Sequence, residues 1–193
     1  MDRKLAKRQL EMISTIFDKT YRIDHYEDPF ECYDLLKSCS ERYWADISRP
    51  SKTNYDFSSD GKNTIKFLIE NNRFNLGYSI VYDDDIPMAF GGIRVINDNT
   101  TIVAARAFCF YTPKLLINKI LIPYQLSYSK SCGFSRSIIS FNEYNHKIYK
   151  VWRRLTQSPD LVDAKFSVDY KKFNMLGKQI VNKMEQYTIE WIL

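Results

Sequence analysis

The chain is poor in the residues from which metal and redox sites are built. It has two histidines, His25 and His146, standing alone, and four cysteines, Cys32, Cys39, Cys109 and Cys132, with no C-x-x-C pair among them. A zinc site needs clustered ligands, so no metal is expected. Cys32 and Cys39 share a face if their segment is helical, and reduced core thiols account for them better than a disulfide. No apolar run is long enough to cross a bilayer. The opening, MDRKLAKRQLEMISTIF, is basic but lacks the continuous apolar segment of a secretion signal. A membrane is therefore not an expected partner, and the cytoplasm is the expected location. Internal repeats and low-complexity segments are also missing.

What is present is core-forming material. The 193 residues are 45% hydrophobic and 15% aromatic, which excludes a disordered chain and suffices for a single domain over 1–193. The formal net charge of +5 would suit an anionic partner such as a nucleotide-bearing cofactor, or merely keep the chain in solution. Within the domain, 1–60 reads as N-terminal helices and a loop, and 61–193 as a core sheet with helices.

Residues 3–19 have helical periodicity through Leu10, Ile13 and Phe17. Asp28-Pro29-Phe30-Glu31 opens a second helix, with Asp28 as cap, Pro29 at the first helical position and Glu31 completing a capping box. Its apolar face would hold Phe30, Tyr33, Leu36, Tyr43, Trp44 and Ile47. The segment 48–63, SRPSKTNYDFSSDGKN, is a loop and a candidate substrate lid. A short third helix covers Ile65, Leu68 and Ile69.

From Leu76 the period becomes two. Leu76, Tyr78, Ile80 and Tyr82 mark a strand, Asp83-Asp84-Asp85 a turn, and Met88 to Val95 a second strand. Gly91-Gly92 in that strand signals a bulge or a close approach. After the turn Asn97-Asp98-Asn99, TIVAARAFCFY is apolar on both faces and reads as a central strand. Pro123 would break a helix running on from Lys114, so the next helix is placed from Asn118 to a stop at Gly133, with 112–118 as a connecting loop. The strand Arg136 to Phe141 should run parallel to the central one. A helix over His146 to Thr156 and a hairpin, Phe173 to Val181 and Tyr187 to Leu193, complete an α/β fold with a mixed, mostly antiparallel central sheet and flanking helices.

This order resembles the GNAT family, the GCN5-related N-acetyltransferases, over roughly 60–193, most specifically over 101–155. The family spacing apolar-x-apolar-x-x-x-Asn, with an aromatic seven residues on, is matched by Ile139, Phe141, Asn145 and Trp152; a second register pairs Asn142 with Tyr149. The resemblance implies an acyl-CoA N-acyltransferase fold in which the central and parallel strands splay apart. The pantetheine arm of acetyl-CoA, as co-substrate, would then bond to the backbone of Phe108, Cys109, Phe110 and Tyr111. It implies a pyrophosphate site on the amides of Lys114 to Lys119, with Asn118 included, and roles for Asn142 or Asn145 in holding pantetheine. Lys147, Lys150 and Arg154 would face CoA phosphates. The chain departs from the family in one place: TPKLLINK contains no glycine where the family loop is glycine-rich, and glycine is what lets backbone amides approach a pyrophosphate closely.

Acetyl transfer to an amine needs a base, a donor to the oxyanion and an acid for the leaving thiolate. Tyr149 is the candidate acid, or else a packed helix tyrosine. Glu143, His146 and Tyr111 are candidate bases, since the central strand lacks the glutamate found there in many family members. The expected activity is acetyl transfer from acetyl-CoA to an unidentified amine, by a monomer or homodimer. The alternative is a GNAT-like protein without catalysis that binds a ligand or partner. Nucleic acid is not the expected partner: the N-terminus and the 146–156 helix are basic, but no RNA- or DNA-binding motif is present.

Overall fold

Strands β1 (Tyr21–Tyr26), β2 (Tyr78–Asp83), β3 (Ile86–Asn97), β4 (Thr100–Ala107), β5 (Arg136–Phe141), β6 (Asn174–Val181) and β7 (Met184–Ile192) form one sheet in the order β1-β2-β3-β4-β5-β7-β6. This is a computed structural model, and it describes residues 21–35, 74–107, 114–141, 143, 146–158, 160, 166–181 and 183–193. All neighbouring strands are antiparallel except β4 and β5. The mixed sheet, the β2-β3-β4 meander and the terminal hairpin agree with the sequence reading.

The meander is set by its turns and glycines. Asp84 sits at φ 53° between β2 and β3, a left-handed position that a short polar side chain tolerates. A Cβ on Gly91 would lie 2.2 Å from the Ala104 carbonyl oxygen, and one on Gly92 would lie 2.2 Å from the Phe74 ring. Both glycines therefore mark close approaches. One strand escaped the sequence reading: Tyr21–Tyr26 pairs along its length with β2, from Tyr21 opposite Asp83 to Tyr26 opposite Tyr78. The sheet thus begins well before residue 61. Among the described residues β1 has its partner on one side only, and an edge strand tolerates the charges of Arg22 and Asp24 that obscure its alternation.

After β1, Asp28 accepts a hydrogen bond from the Phe30 amide (2.9 Å) and Pro29 opens a 3-10 turn, Pro29–Cys32. Asp28 caps as expected, but through the Phe30 amide rather than the Glu31 amide of a capping box, and Phe30 is 66% exposed rather than on an apolar face. Cys32 is buried, and burial pushes its thiol up to about 11. It packs with Tyr78, Ile80, Tyr82 and Phe90 on one face of the sheet. The expected elements over 3–19, 48–63 and 65–72, the second helix beyond residue 35, and Cys39 and Cys109 lie outside the described residues.

The opposite face carries two helices. The first, α1, spans 114–131 in three pieces: Lys114–Leu116 (α), Ile117–Leu121 (π) and Ile122–Ser131 (α). It starts at Lys114, so 114–118 are helical where a connecting loop and a start near Asn118 were expected. The π turn is the reason. The Ile122 amide bonds to the Ile117 carbonyl five residues back, so the ladder has already widened where the proline ring would strike an α-helical carbonyl. Gly133 ends the helix at φ 90°, its amide bonded to the Lys130 carbonyl (2.9 Å). The second helix, α2 (His146–Gln157), buries Trp152 and Thr156. Between these helices and the sheet lies the main core, containing Ile93, Val103, Leu126, Ile139, Phe141 and Trp191.

Candidate functional site

The parallel pair β4–β5 opens partway along. Three residue pairs join the strands, Thr100 with Arg136, Thr101 with Ser137 and Ile102 with Ile138. β4 continues to Ala107 and β5 to Phe141 without further pairing between them, while their outer sides stay paired with β3 and β7. Unpaired parallel edges present backbone donors and acceptors to whatever enters the gap.

The closed end of this gap is pinned. The Ser135 and Arg136 amides both donate to the Asn99 carbonyl (3.2 and 3.0 Å). Thr101 Oγ1 lies 3.1 Å from Ser129 Oγ on α1 and 2.9 Å from Ser137 Oγ on β5, all three residues being fully buried. Thr101 has one proton, so it donates to at most one serine and accepts from at least one. Buried Gln125 donates to the carbonyls of Ala104 (3.1 Å) and Gly92 (3.3 Å), tying α1 to β3 and β4.

With Ser129 at the closed end, the amino terminus of α1 falls at the open end. Leu116 packs there with Val81 and Ala89, and Ala89 is opposite Ala107, the last described residue of β4. Exposed amides and the helix dipole at such a terminus favour an anion. Phe108, Cys109, Phe110 and Tyr111 lie outside the described residues, as do Asn142 and Asn145; Lys114 is described for its backbone alone.

A second group gathers beyond the end of β5. His146 Nδ1 lies 2.8 Å from the Glu143 carbonyl oxygen. A carbonyl only accepts, so Nδ1 carries a proton and Nε2 is the ring nitrogen left for other partners. One turn on, the Tyr149 hydroxyl accepts from the Gly177 amide (2.9 Å), leaving its own proton to donate elsewhere. That amide is available because β6 bulges between Met175 and Gly177, with Gly177 at φ 71°. Tyr187 of β7 lies tilted against both, its ring centroid 5.1 Å from Tyr149 and 6.2 Å from His146. His146 and Tyr149 are thus brought to Tyr187, which the sequence reading gave no part, while Glu143 contributes its backbone carbonyl. The place of Tyr187 in an alternating strand carried no signal beyond packing.

Trp152 and Lys119 are placed elsewhere. Trp152 is 1% exposed and packs edge-on against Trp191 at 5.7 Å in the main core. Of the two aromatics competing by spacing, Tyr149 is half-buried near the end of β5 and Trp152 is interior. Asn118 is buried on the π turn. Lys119 has a fully buried side chain whose ammonium donates to the Thr156 and Ser158 carbonyls and lies 3.5 Å from Asp160 Oδ1. It therefore serves the carboxyl end of α2 rather than the amino end of α1, because the π turn directs it inward. Lys147, Lys150 and Arg154 are exposed on the outer face of α2.

No family model matches the sequence, and no curated protein matches it either. Solved structures do. A spermidine N-acetyltransferase chimera from Vibrio cholerae and hSSAT superposes with a TM-score of 0.53 at 10% identity, covering 89% of this chain and 95% of that one. An aminoglycoside N(6')-acetyltransferase from Legionella pneumophila gives 0.53 at 13% identity, covering 91% and 93%. The protein yncA from Salmonella typhimurium, solved with its cofactor acetyl-CoA, gives 0.51 at 8% identity, covering 89% and 93%.

Proposed function

We propose that this chain, which has the fold of the GNAT N-acetyltransferases, transfers an acetyl group from acetyl-CoA to an amine. The observation that carries this reading is the gap between β4 and β5, pinned at one end and faced at the other by the amino terminus of α1. An extended amide-bearing arm can bond along the open edges while a pyrophosphate meets the helix terminus. Acetyl-CoA supplies an acyl carbon activated by a thiolate leaving group. Backbone amides over Phe108 to Tyr111 would serve the carbonyl oxygen as it gains charge. His146 Nε2 takes the proton the amine must lose, directly or through water, with Glu143 and Tyr111 as the other candidates. Tyr149 gives its phenolic proton to the departing sulfur. The His146 Nδ1–H bonded to the Glu143 carbonyl supports the first role; the Tyr149 hydroxyl, held at the Gly177 amide of β6, must turn away from that strand to reach a thioester in the gap.

One sequence feature favours a second reading, a GNAT-like binding protein without catalysis: TPKLLINK has no glycine to bring amides close to a pyrophosphate. Calorimetric titration with acetyl-CoA and CoA separates the two. Micromolar binding, weakened by Lys114→Ala, is expected, and Tyr149→Phe should lower turnover on a responsive amine while leaving CoA affinity intact. Absence of binding at millimolar ligand would overturn the enzymatic reading.

In the described residues no helix is long and apolar enough to cross a membrane.

A further inference from the structure

We infer that Lys119 is a positioning residue: it clamps the amino-terminal half of α1 to the carboxyl end of α2 and so sets the spacing between the anion-facing helix terminus and the Tyr149 hydroxyl. The second half of this statement rests on the acetyl-transfer reading; the clamp itself does not.

The last carbonyls of a helix have no partners within it. Many helices solve this with a glycine just past the end. α2 ends in Thr-Gln-Ser-Pro-Asp, without one. Lys119 of the other helix supplies the donors instead, reaching the Thr156 and Ser158 carbonyls with an ammonium that also complements the negative end of the α2 dipole.

The site is built around that ammonium. Asp160 faces it and is held by the Tyr170 hydroxyl and by Lys171 Nζ at 2.9 Å. The Tyr170 ring centroid is 5.4 Å from the ammonium, and the Tyr170 carbonyl accepts from the Trp191 indole (2.9 Å), joining the cluster to β7. Burial pushes the Lys119 ammonium below its ordinary range while the Asp160 charge pulls it back up.

The π turn makes the contact possible. One extra residue in a helix rotates the turns before it by about 100° relative to the turns after it. It buries Asn118, Lys119, Ile120 and Leu121 in succession, which an ordinary surface helix does not do. α1 enters this turn directly from Lys114–Leu116, the piece that faces the open gap. α2 carries Tyr149 on the same helix whose end Lys119 holds. A side chain with no exposed atom thus joins the two halves of the proposed site.

The test compares wild type with Lys119→Met, which keeps the length and loses the charge, and with Asp160→Asn, at a half-exposed position. Backbone hydrogen exchange is followed by residue, and CoA is titrated well below the melting temperature. The expected result for K119M is faster exchange confined to 114–121 and 154–158, with the β3–β5 strands protected as in wild type, and CoA affinity reduced about tenfold. D160N should shift both readouts the same way by less. A lysine with only a structural role would lower the melting temperature without moving the affinity of the folded protein. Wild-type exchange and affinity in K119M, or exchange accelerated evenly over the whole sheet, would overturn the inference. If K119M does not fold, D160N decides on the same two readouts. If wild type binds no CoA, the acetyl-transfer reading and the positioning role fail together, and the exchange pattern still judges the clamp.

Discussion

Thr101→Val tests whether the closed end of the β4–β5 gap is held by hydroxyls. The substitution keeps the side-chain shape and removes the atom that lies 3.1 Å from Ser129 Oγ and 2.9 Å from Ser137 Oγ. Both serine hydroxyls lose their partner in a site without solvent. Ser129, on a helix, can turn to the carbonyl four residues back. Ser137, on a buried strand, has no such recourse. An orphaned buried hydroxyl costs about 1–3 kcal/mol, and a lost neutral hydrogen bond about 1 kcal/mol. The single variant should therefore lose about 2–3 kcal/mol, which for a domain of this size is roughly 2–4 °C of melting temperature per kcal/mol. Adding Ser137→Ala should recover most of the loss, since replacing both partners by apolar groups is close to neutral. Urea unfolding followed by tryptophan fluorescence reads this directly, Trp152 and Trp191 being buried in the adjoining core. Wild-type stability in T101V would refute the reasoning, as would a double variant weaker than the single.

Two further predictions concern the β1 edge and the meander. His25 Nε2 donates to the Leu76 carbonyl (3.0 Å), so Nδ1 accepts from the Ser79 hydroxyl (2.9 Å), and burial lowers the pKa from 6.5. The unfolded chain then takes up this proton first, so the His25 contribution is complete above pH 6.5 and is lost as pH falls through the lower folded value; His25→Gln should flatten the melting temperature against pH, and parallel profiles would count against it. Gly92→Ala should cost about 1–3 kcal/mol by pushing on the Phe74 ring, and Gly91→Ala more, because its Cβ would meet a backbone carbonyl that cannot withdraw without parting β3 from β4; equal losses in thermal denaturation would contradict this.

Strands β2 to β5 and β7 were legible because buried strands write period-two or continuously apolar patterns bounded by Asp, Asn and Gly turns, and the largely exposed β6 by its place in the terminal hairpin. β1 was not: Tyr-Arg-Ile-Asp-His-Tyr carries charges that an edge position tolerates, and it lies between two stretches with stronger helical signals. Pro123 gave a correct warning about the ladder but misplaced the helix start, since a π turn is a backbone solution with no composition of its own. The expected splay appears in the β4–β5 register. The same sequence could not reveal that Lys119 points inward, because a lysine near a helix start reads as an exposed cation. Tyr149 and His146 were candidates from the family resemblance and the chemistry it requires, whereas Gly177 and Tyr187 come from β6 and β7, far along the chain.

β7 comes after every other strand in the chain yet lies inside the sheet, between β5 and β6. Six residue pairs bind it to β5, twice the three that bind β5 to β4. During synthesis β5 must therefore wait for 187–192 to emerge before its larger interface can form. A nascent chain halted after α2 would expose one whole side of Arg-Ser-Ile-Ile-Ser-Phe as an open strand edge, the kind that recruits other chains. Translation pauses after α2, and truncations that spare every proposed catalytic residue, should thus yield aggregate rather than a weakened enzyme.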